Sequence, residues 1–267
     1  MKHKKKSQSS NLRLAIFFCV GVLFLVAVSF LIKVFLIVKA SNYDGNHRYN
    51  LAIYQENRQS IISFSPQSKS ISILTLRGSV NGNIGKFTEL PIDASVKDNG
   101  GTVIDKDTIS SSISHYISGY TGLRTDMTII DAIRIFLFAK EVPKTSIYER
   151  DLSSKDSLSI NSFTSSFFID PQIANEKVTI EIINGTQVFG LGNRLANLLN
   201  NIGADVVLVT SSEKEEQTTK VTYFGDSNYT IKRISKILGV KPTNASQRDI
   251  SDVTITIGND IISKINF

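Results

Sequence analysis

An uninterrupted apolar run from Leu14 to Ile32 constrains this chain more than any other feature, preceded as it is by Lys2, Lys4, Lys5, Lys6 and Arg13 with no acidic residue among them. About 20 apolar residues at ~1.5 Å rise match a ~30 Å hydrocarbon core, so the segment from Leu14 to about Val38 is expected to span a membrane. The basic tail, residues 1–13, should stay cytoplasmic, which places everything after about Ala40 outside the cytoplasm. Lys33 interrupts the run near its outer end, where its stem carries the ammonium into the headgroups. The alternative is a cleaved signal peptide with Val38-Lys39-Ala40 as its small-residue site. Length opposes it, because the apolar region of a signal runs ~7–15 residues and the cut follows closely. Cys19 falls inside the span behind the bulky Ile16-Phe17-Phe18, where a lipoprotein site needs small residues, and reads as a buried apolar side chain.

The net charge of +6 looks like a nucleic-acid signal until it is located along the chain. Residues 1–39 hold seven of the 30 basic groups, which leaves 23 against 24 acidic residues in 40–267. A near-neutral remainder carries no footprint for DNA or RNA, and topology with attraction to anionic lipid accounts for the basic tail. The remainder also lacks cysteine, so disulfides, thiolate catalysis and cysteine-held zinc are excluded there and packed cores must supply stability.

Residues 39–48 are polar and read as a stalk. A first domain over 49–152 begins with strands at Asn50 to Tyr54, Ser60 to Ser65 and Ser70 to Leu76, the last two joined by a turn at Pro66-Gln-Ser. Gly78 to Gly101 is rich in Gly, Asn and Asp and reads as a long loop. Asp107 opens a helix with Ile109, Ile113, Tyr116 and Ile117 on one face, closed by Gly119. A second helix, capped by Thr125 or Asp126, carries Ile129, Ile130, Ile133, Phe136 and Leu137 on its apolar face, interrupted by Asp131 and Arg134. A strand at Ser146 to Arg150 completes the unit. Residues 153–176, rich in serine, read as an extended connection.

The second domain, 177–260, has the clearer pattern. Strands are predicted at Val178 to Ile183, Asp205 to Thr210, Thr219 to Phe224 and Asp252 to Gly258. A helix from about Val188 to Ile202 has Leu191, Leu195, Leu198, Leu199 and Ile202 as its stripe and Gly203 as its stop. Another runs from an Asn228 cap through Leu238 to Gly239. The order β-α-β-β-α-β predicts a split arrangement with both helices on one face of the sheet. The fold class is therefore α/β (α+β), with an N-terminal transmembrane helix, two small mixed domains and a tail at 261–267.

Val178-Thr-Ile-Glu-Ile-Ile-Asn-Gly-Thr, Gly190-Leu-Gly-Asn-Arg-Leu-Ala-Asn-Leu-Leu, Ile202-Gly-Ala-Asp-Val and the closing Asp252-Val-Thr-Ile-Thr-Ile-Gly-Asn-Asp260 resemble the C-terminal domain of LytR-type cell-envelope proteins over residues 177–260. More loosely, Arg58-Gln-Ser-Ile-Ile-Ser-Phe-Ser-Pro66 and Lys69-Ser-Ile-Ser-Ile-Leu-Thr-Leu-Arg77 are similar to the paired strands that open LytR-CpsA-Psr domains. Enzymes of that family move glycopolymers from a polyprenyl pyrophosphate carrier to peptidoglycan, with arginines on the pyrophosphate and a metal held by acids. This chain departs from the pattern. Arg77 is followed by Gly78 where the family has an acid, Ser60 stands where an acid is usual near Arg58, and the later arginine cluster is missing. A divalent ion would lack hard ligands and a pyrophosphate would lack cations. The resemblance thus implies a divergent relative and a non-catalytic binding module for wall glycopolymer or another envelope protein. An active transferase using magnesium, with acids from Asp93 or Asp98, is the alternative; otherwise no cofactor and no metal site are expected. The partners implied are membrane lipid through the anchor and peptidoglycan or a polyprenyl-linked glycopolymer.

Other chemistries fare worse. Gly190-Leu-Gly192-Asn-Arg-Leu195 has a leucine where a dinucleotide fingerprint needs its third glycine, and no acid ends the next strand; Asn193 or Thr186 then serves as a helix cap. A hydrolase would need His47, in the stalk, or His115, on a helix, and no nucleophile elbow is present. Asp93, Asp98, Asp105 and Asp107 lack calcium-loop spacing and read as solvated turns. The ligand-binding candidates are Arg58, Arg77 and Lys86 around the Asn81-Gly-Asn83 loop, because a strand-end arginine beside flexible amides suits a phosphate or sugar-phosphate.

Overall fold

The computed structural model describes residues 8–78, 82–248 and 250–264; Lys2, Lys4, Lys5 and Lys6, the loop residue Asn81 and tail residues 265–267 lie outside the described residues. The chain divides into Met1–Ser41 and Asn42–Phe267. The first unit is α1, Gln8–Ala40, of which Leu12–Ala40 is a 29-residue stretch long and apolar enough to cross a membrane. The helix continues through Lys33 to Ala40, so Lys39 and Ala40 belong to it and not to a stalk.

Nor is the rest of the expected stalk free chain. Tyr43 and Arg48 are buried, and Tyr43 joins the first core. The cause is Asp131, fully buried near the start of a helix, whose carboxylate accepts from the backbone N–H of Tyr43 at 2.8 Å and of Asn42 at 3.3 Å. A buried carboxylate needs such donors, and the segment after α1 supplies them.

The first sheet contains β1 (Tyr49–Tyr54), β2 (Arg58–Ser65), β3 (Ser70–Arg77), β4 (Ala94–Lys97), β5 (Arg124–Thr125) and β6 (Ile147–Ser153) in the order β5-β4-β1-β2-β3-β6. The pairs β1/β2, β2/β3 and β4/β5 are antiparallel, whereas β1/β4 and β3/β6 are parallel. The central strands are buried on both faces. On one face Leu51, Ile53, Ile62, Phe64, Ile71 and Ile73 pack with α3 (Ile109–Ser118) and α4 (Ile129–Glu141). On the other, Ala52, Ile61, Leu74 and Leu76 meet Ile84 of α2 (Ile84–Thr88) and Ile160 and Phe163 of α5 (Ser157–Phe167).

Three expectations for this region are corrected. The loop from Gly78 to Gly101 contains α2 and β4, because Ile84, Leu90, Ala94 and Val96 all find a core. Residues 153–176 are α5 and α6 (Pro171–Glu176): Ile160, Phe163 and Thr164 form a buried stripe, and the flanking serines turn outward and bond the carbonyls four residues back, as Ser165 does to Asn161 and Ser166 to Ser162. Finally, α4 is capped by Thr128 in a reciprocal box with Asp131 and presents Asp131, Ala132, Ile135 and Ala139 inward, leaving Ile133 and Leu137 exposed. Two alanines on the inner face let the helix approach closely, and the larger residues take the outer side.

The second sheet contains β7 (Thr179–Asn184), β8 (Asp205–Ser211), β9 (Lys220–Tyr223), β10 (Thr243–Asn244) and β11 (Val253–Ile257) in the order β10-β9-β11-β7-β8. Both helices, α7 (Leu191–Asn201) and α8 (Tyr229–Leu238), lie on one face: Leu195, Leu198 and Leu199 with Ile231, Ile234 and Leu238 pack against Ile180, Ile182, Val221, Val253 and Ile255. Each such side chain contributes about 1.5–3 kcal/mol when fully buried. The split arrangement is not adopted. β7 and β8 are adjacent and parallel, because α7 with its flanking loops is a long enough crossover to return the chain beside its own strand. A short helix, α9 (Ile261–Lys264), follows β11.

Candidate functional site

Where α8 faces the first sheet, the two halves of Asn42–Phe267 are joined by charge. Arg233, on α8, donates through Nη2 to Asp93 Oδ2 at 2.8 Å and through Nη1 to Oδ1 at 2.5 Å, with both side chains more than nine-tenths buried. Asp93 is also fixed by the backbone N–H of Asn50 at 2.9 Å. Burial opposes the charge on Arg233, but attraction to Asp93 and the hydrogen bonds to it outweigh that and raise its pKa. Alongside, Tyr229 donates to Asp170 at 2.8 Å, and the His47 ring stacks on Tyr229 with centroids 4.0 Å apart. His47 itself is paired with Asp44. Burial, opposed by Arg233 and reinforced by Asp170, pushes the Tyr229 hydroxyl up.

Two adjoining cavities open at this junction, of about 250 and about 260 Å³, and share Asn42, Arg233 and Lys236 as walls. Their titratable lining is lopsided: His47, Arg48, Lys232, Arg233 and Lys236 face Asp44 and Asp93. With His47 on Asp44, Arg233 on Asp93 and Arg48 opposed by Asp170, the excess positive charge belongs to Lys232 and Lys236. Arg48 is buried and donates through Nη1 to Ser63 Oγ at 2.7 Å and to the Phe167 carbonyl at 3.0 Å, while its Nε has no partner among the described residues. Burial pulls its pKa down to about 10, against the opposing influence of Asp170 and Tyr229. The buried Tyr49 hydroxyl is likewise without a partner among the described residues. Lys232 and Lys236 are exposed at the rim, and neither has an ion-pair partner among the described residues. Two free ammonium groups side by side at the rim of a cleft are chemically suited to an anion.

The residues singled out from the sequence lie elsewhere. Arg58 and Arg77 are direct register partners at the ends of β2 and β3, so the topology brings these two together. Arg77 is mostly exposed and is taken by Asp151 of β6 in a two-pronged pair, Nε to Oδ1 and Nη2 to Oδ2, each 2.7 Å. Lys86 sits exposed on α2 and bonds to neither arginine. The Asp93 side chain and Asp98 are buried, not solvated turns: Asp98 accepts from Gln55, Gly100, Thr102 and Tyr116. Asp105 caps the approach to α3 through the N–H groups of Asp107 and Thr108, and Lys144 pairs with Asp107. No three of His, Cys, Asp and Glu cluster so as to hold a metal ion among the described residues. The cleft residues Arg48, Lys232 and Lys236 escaped sequence reasoning because the cleft forms where two segments far apart in the chain, 42–49 and 229–236, meet. The one local signal was Arg233, a cation on the same helix face as Ile234 and Thr230.

Residues 177–260 match the family described as LytR cell envelope-related transcriptional attenuator. No curated protein matches the chain. Among solved structures, it is similar to the transcriptional regulator yvhJ from Bacillus subtilis, at 9% identity and a TM-score of 0.33 over 40% of this chain and 82% of that one. It is also similar to B. subtilis TagT and to TagT bound to LIIa-WTA, each at 12% identity and a TM-score of 0.19 over 74% of this chain and 94% of the other.

Proposed function

We propose that this chain, with its LytR C-terminal domain at residues 177–260, is a membrane-anchored envelope protein that binds a phosphate-bearing glycopolymer without transforming it. In this reading α1 is a retained single-pass anchor with its N-terminus in the cytoplasm, and Asn42–Phe267 is extracytoplasmic. The observation that carries the binding role is the cleft, whose rim lysines Lys232 and Lys236 have no ion-pair partner among the described residues. The polymer's phosphate diester would lie along Lys232 and Lys236 and reach Arg48. Arg77, with Arg58 and Lys86, is a second contact for the same anion only where the ligand displaces Asp151 from the Arg77 guanidinium.

The test uses the full chain in detergent and a short poly(glycerol phosphate) by titration calorimetry. Binding that falls about tenfold in the Lys232→Ala/Lys236→Ala double variant, and that weakens with added salt, supports the reading. The rival is a glycopolymer transferase. Incubation with a polyprenyl-pyrophosphate glycan, magnesium and a peptidoglycan acceptor decides between them: product that disappears on Arg77→Ala and on chelation of the metal overturns the non-catalytic assignment.

A further inference from the structure

A second groove, of about 450 Å³, opens at the carboxyl ends of the parallel strands β7 and β8, on the loop that leads into α7. No residue that lines it is ionisable. Its walls are amides and hydroxyls, chiefly Gln187, Asn193, Thr210 and Ser211, and at its edge stands Phe189 with its side chain 100% exposed. A phenyl ring wholly in water forgoes the stabilisation that covering its area would give.

The loop is built to keep it there. Asn184 accepts from the N–H of Thr186 at 3.1 Å and from its hydroxyl at 2.8 Å, and donates from Nδ2 to the Val188 carbonyl at 3.0 Å. Thr186 Oγ1 in turn accepts from the Val188 N–H at 3.2 Å. Gly190 then turns the chain at φ +78°, and Gly192 lets α7 close on β8, since a Cβ there would come within 2.9 Å of Val209. Phe189 is thus held out by ordered backbone, which lowers the entropy lost when a ligand covers it. The side-chain amides of Gln187 and Asn193 have no protein partner among the described residues.

We infer that this groove binds an uncharged sugar, a pyranose ring laid on Phe189 with its hydroxyls shared among the amides of Gln187 and Asn193 and the hydroxyls of Thr210 and Ser211. The chemistry selects that class. A sugar ring has an apolar C–H face for the phenyl ring and an edge of hydroxyls that both donate and accept, as amides do. An anionic ligand would find no cation here, and a cationic one no carboxylate. The site is therefore distinct from the cationic cleft, and it does not depend on that reading.

The experiment is saturation-transfer NMR on the full chain in detergent with chitotetraose, cellotetraose and maltotetraose. At least one is expected to receive saturation on its ring protons. Phe189→Ala should weaken it about tenfold, Phe189→Trp should keep it, and Lys232→Ala/Lys236→Ala should leave it unchanged. Because Phe189 is exposed, circular dichroism and Tm should be the same in all variants. No saturation of any of the three sugars overturns the inference, and so does equal binding by Phe189→Ala. A Phe189-dependent self-association without sugar binding would assign the loop to protein contact and overturns it as well.

Discussion

Arg233 and Asp93 form a pair whose partners have no alternative. Both are buried, and removal of one strands the other's charge in a low-dielectric junction, which costs about 3–5 kcal/mol for pairs of this kind. Arg233→Ala is therefore expected to lower the urea midpoint of Asn42–Phe267 sharply, whereas Arg77→Ala, which opens a mostly exposed pair, should leave it almost unchanged. Gly258 poses a steric version of the same constraint. A Cβ there would fall 2.4 Å from the backbone carbon of Thr218, and backbone cannot yield as a side chain can. Gly258→Ala should accordingly destabilise the second sheet, read as a drop in Tm, while Gly239→Ala, with open space but φ +64°, should lose only the αL preference of about 1 kcal/mol.

At the scale of elements, α8 is held at its N-terminus from two sides. Asn228 accepts from the Ile231 N–H at 3.0 Å, and Glu176 of α6 accepts from the Thr230 N–H at 2.7 Å and the Tyr229 N–H at 3.2 Å. Burial by itself would raise the Glu176 pKa, but these bonds, with those from the Thr230 hydroxyl and Gln172, outweigh it and hold the carboxyl below its usual 4.5. A depressed carboxylate contributes stability that is present above the unfolded value and is lost as pH falls through the folded one. The wild type should therefore lose stability more steeply below pH 4.5 than Glu176→Gln, as read from urea midpoints at successive pH values. Helix α8 itself was legible to the residue, because Asn228 and Gly239 are local signals and Ile231, Ile234 and Leu238 repeat at helical spacing. The hold from Glu176 was not, since 53 residues separate the partners. The same distinction explains α5, where serines satisfied by their own helix look like linker, and the adjacency of β7 and β8, which depends on pairing and not on periodicity. Arg58 and Arg77 were legible as strand-end cations, but they lie outside the cleft. The cleft was not, because Arg48 and Lys236 become neighbours only when the sheets meet.

At the scale of the molecule, the two sheets of Asn42–Phe267 are expected to unfold together. Their cores are separate, one built on β1 to β6 and the other on β7 to β11, so cooperativity depends on what joins them. Three kinds of contact do. Charge joins them at Arg233 and Asp93, hydrogen bonds at Asn201 to the Glu89 carbonyl and Tyr229 to Asp170, and packing through α6, whose Ile173 is buried in the second core although it precedes the residues that match the LytR family model. A fragment that begins at residue 177 therefore forfeits both Ile173 and the Glu176 hold on α8. It should be less stable than one that begins at Asp170, by about 2–5 kcal/mol for the loss of a fully buried isoleucine. Calorimetry on Asn42–Phe267 should show one transition, and the Asp93→Asn variant, in which Arg233 loses its countercharge but both cores stay intact, should resolve into two. Two transitions in the wild type would show that the junction does not couple the sheets. The cleft would then be a gap between independent bodies, too loosely held to position Arg48 against Lys236 around one anion.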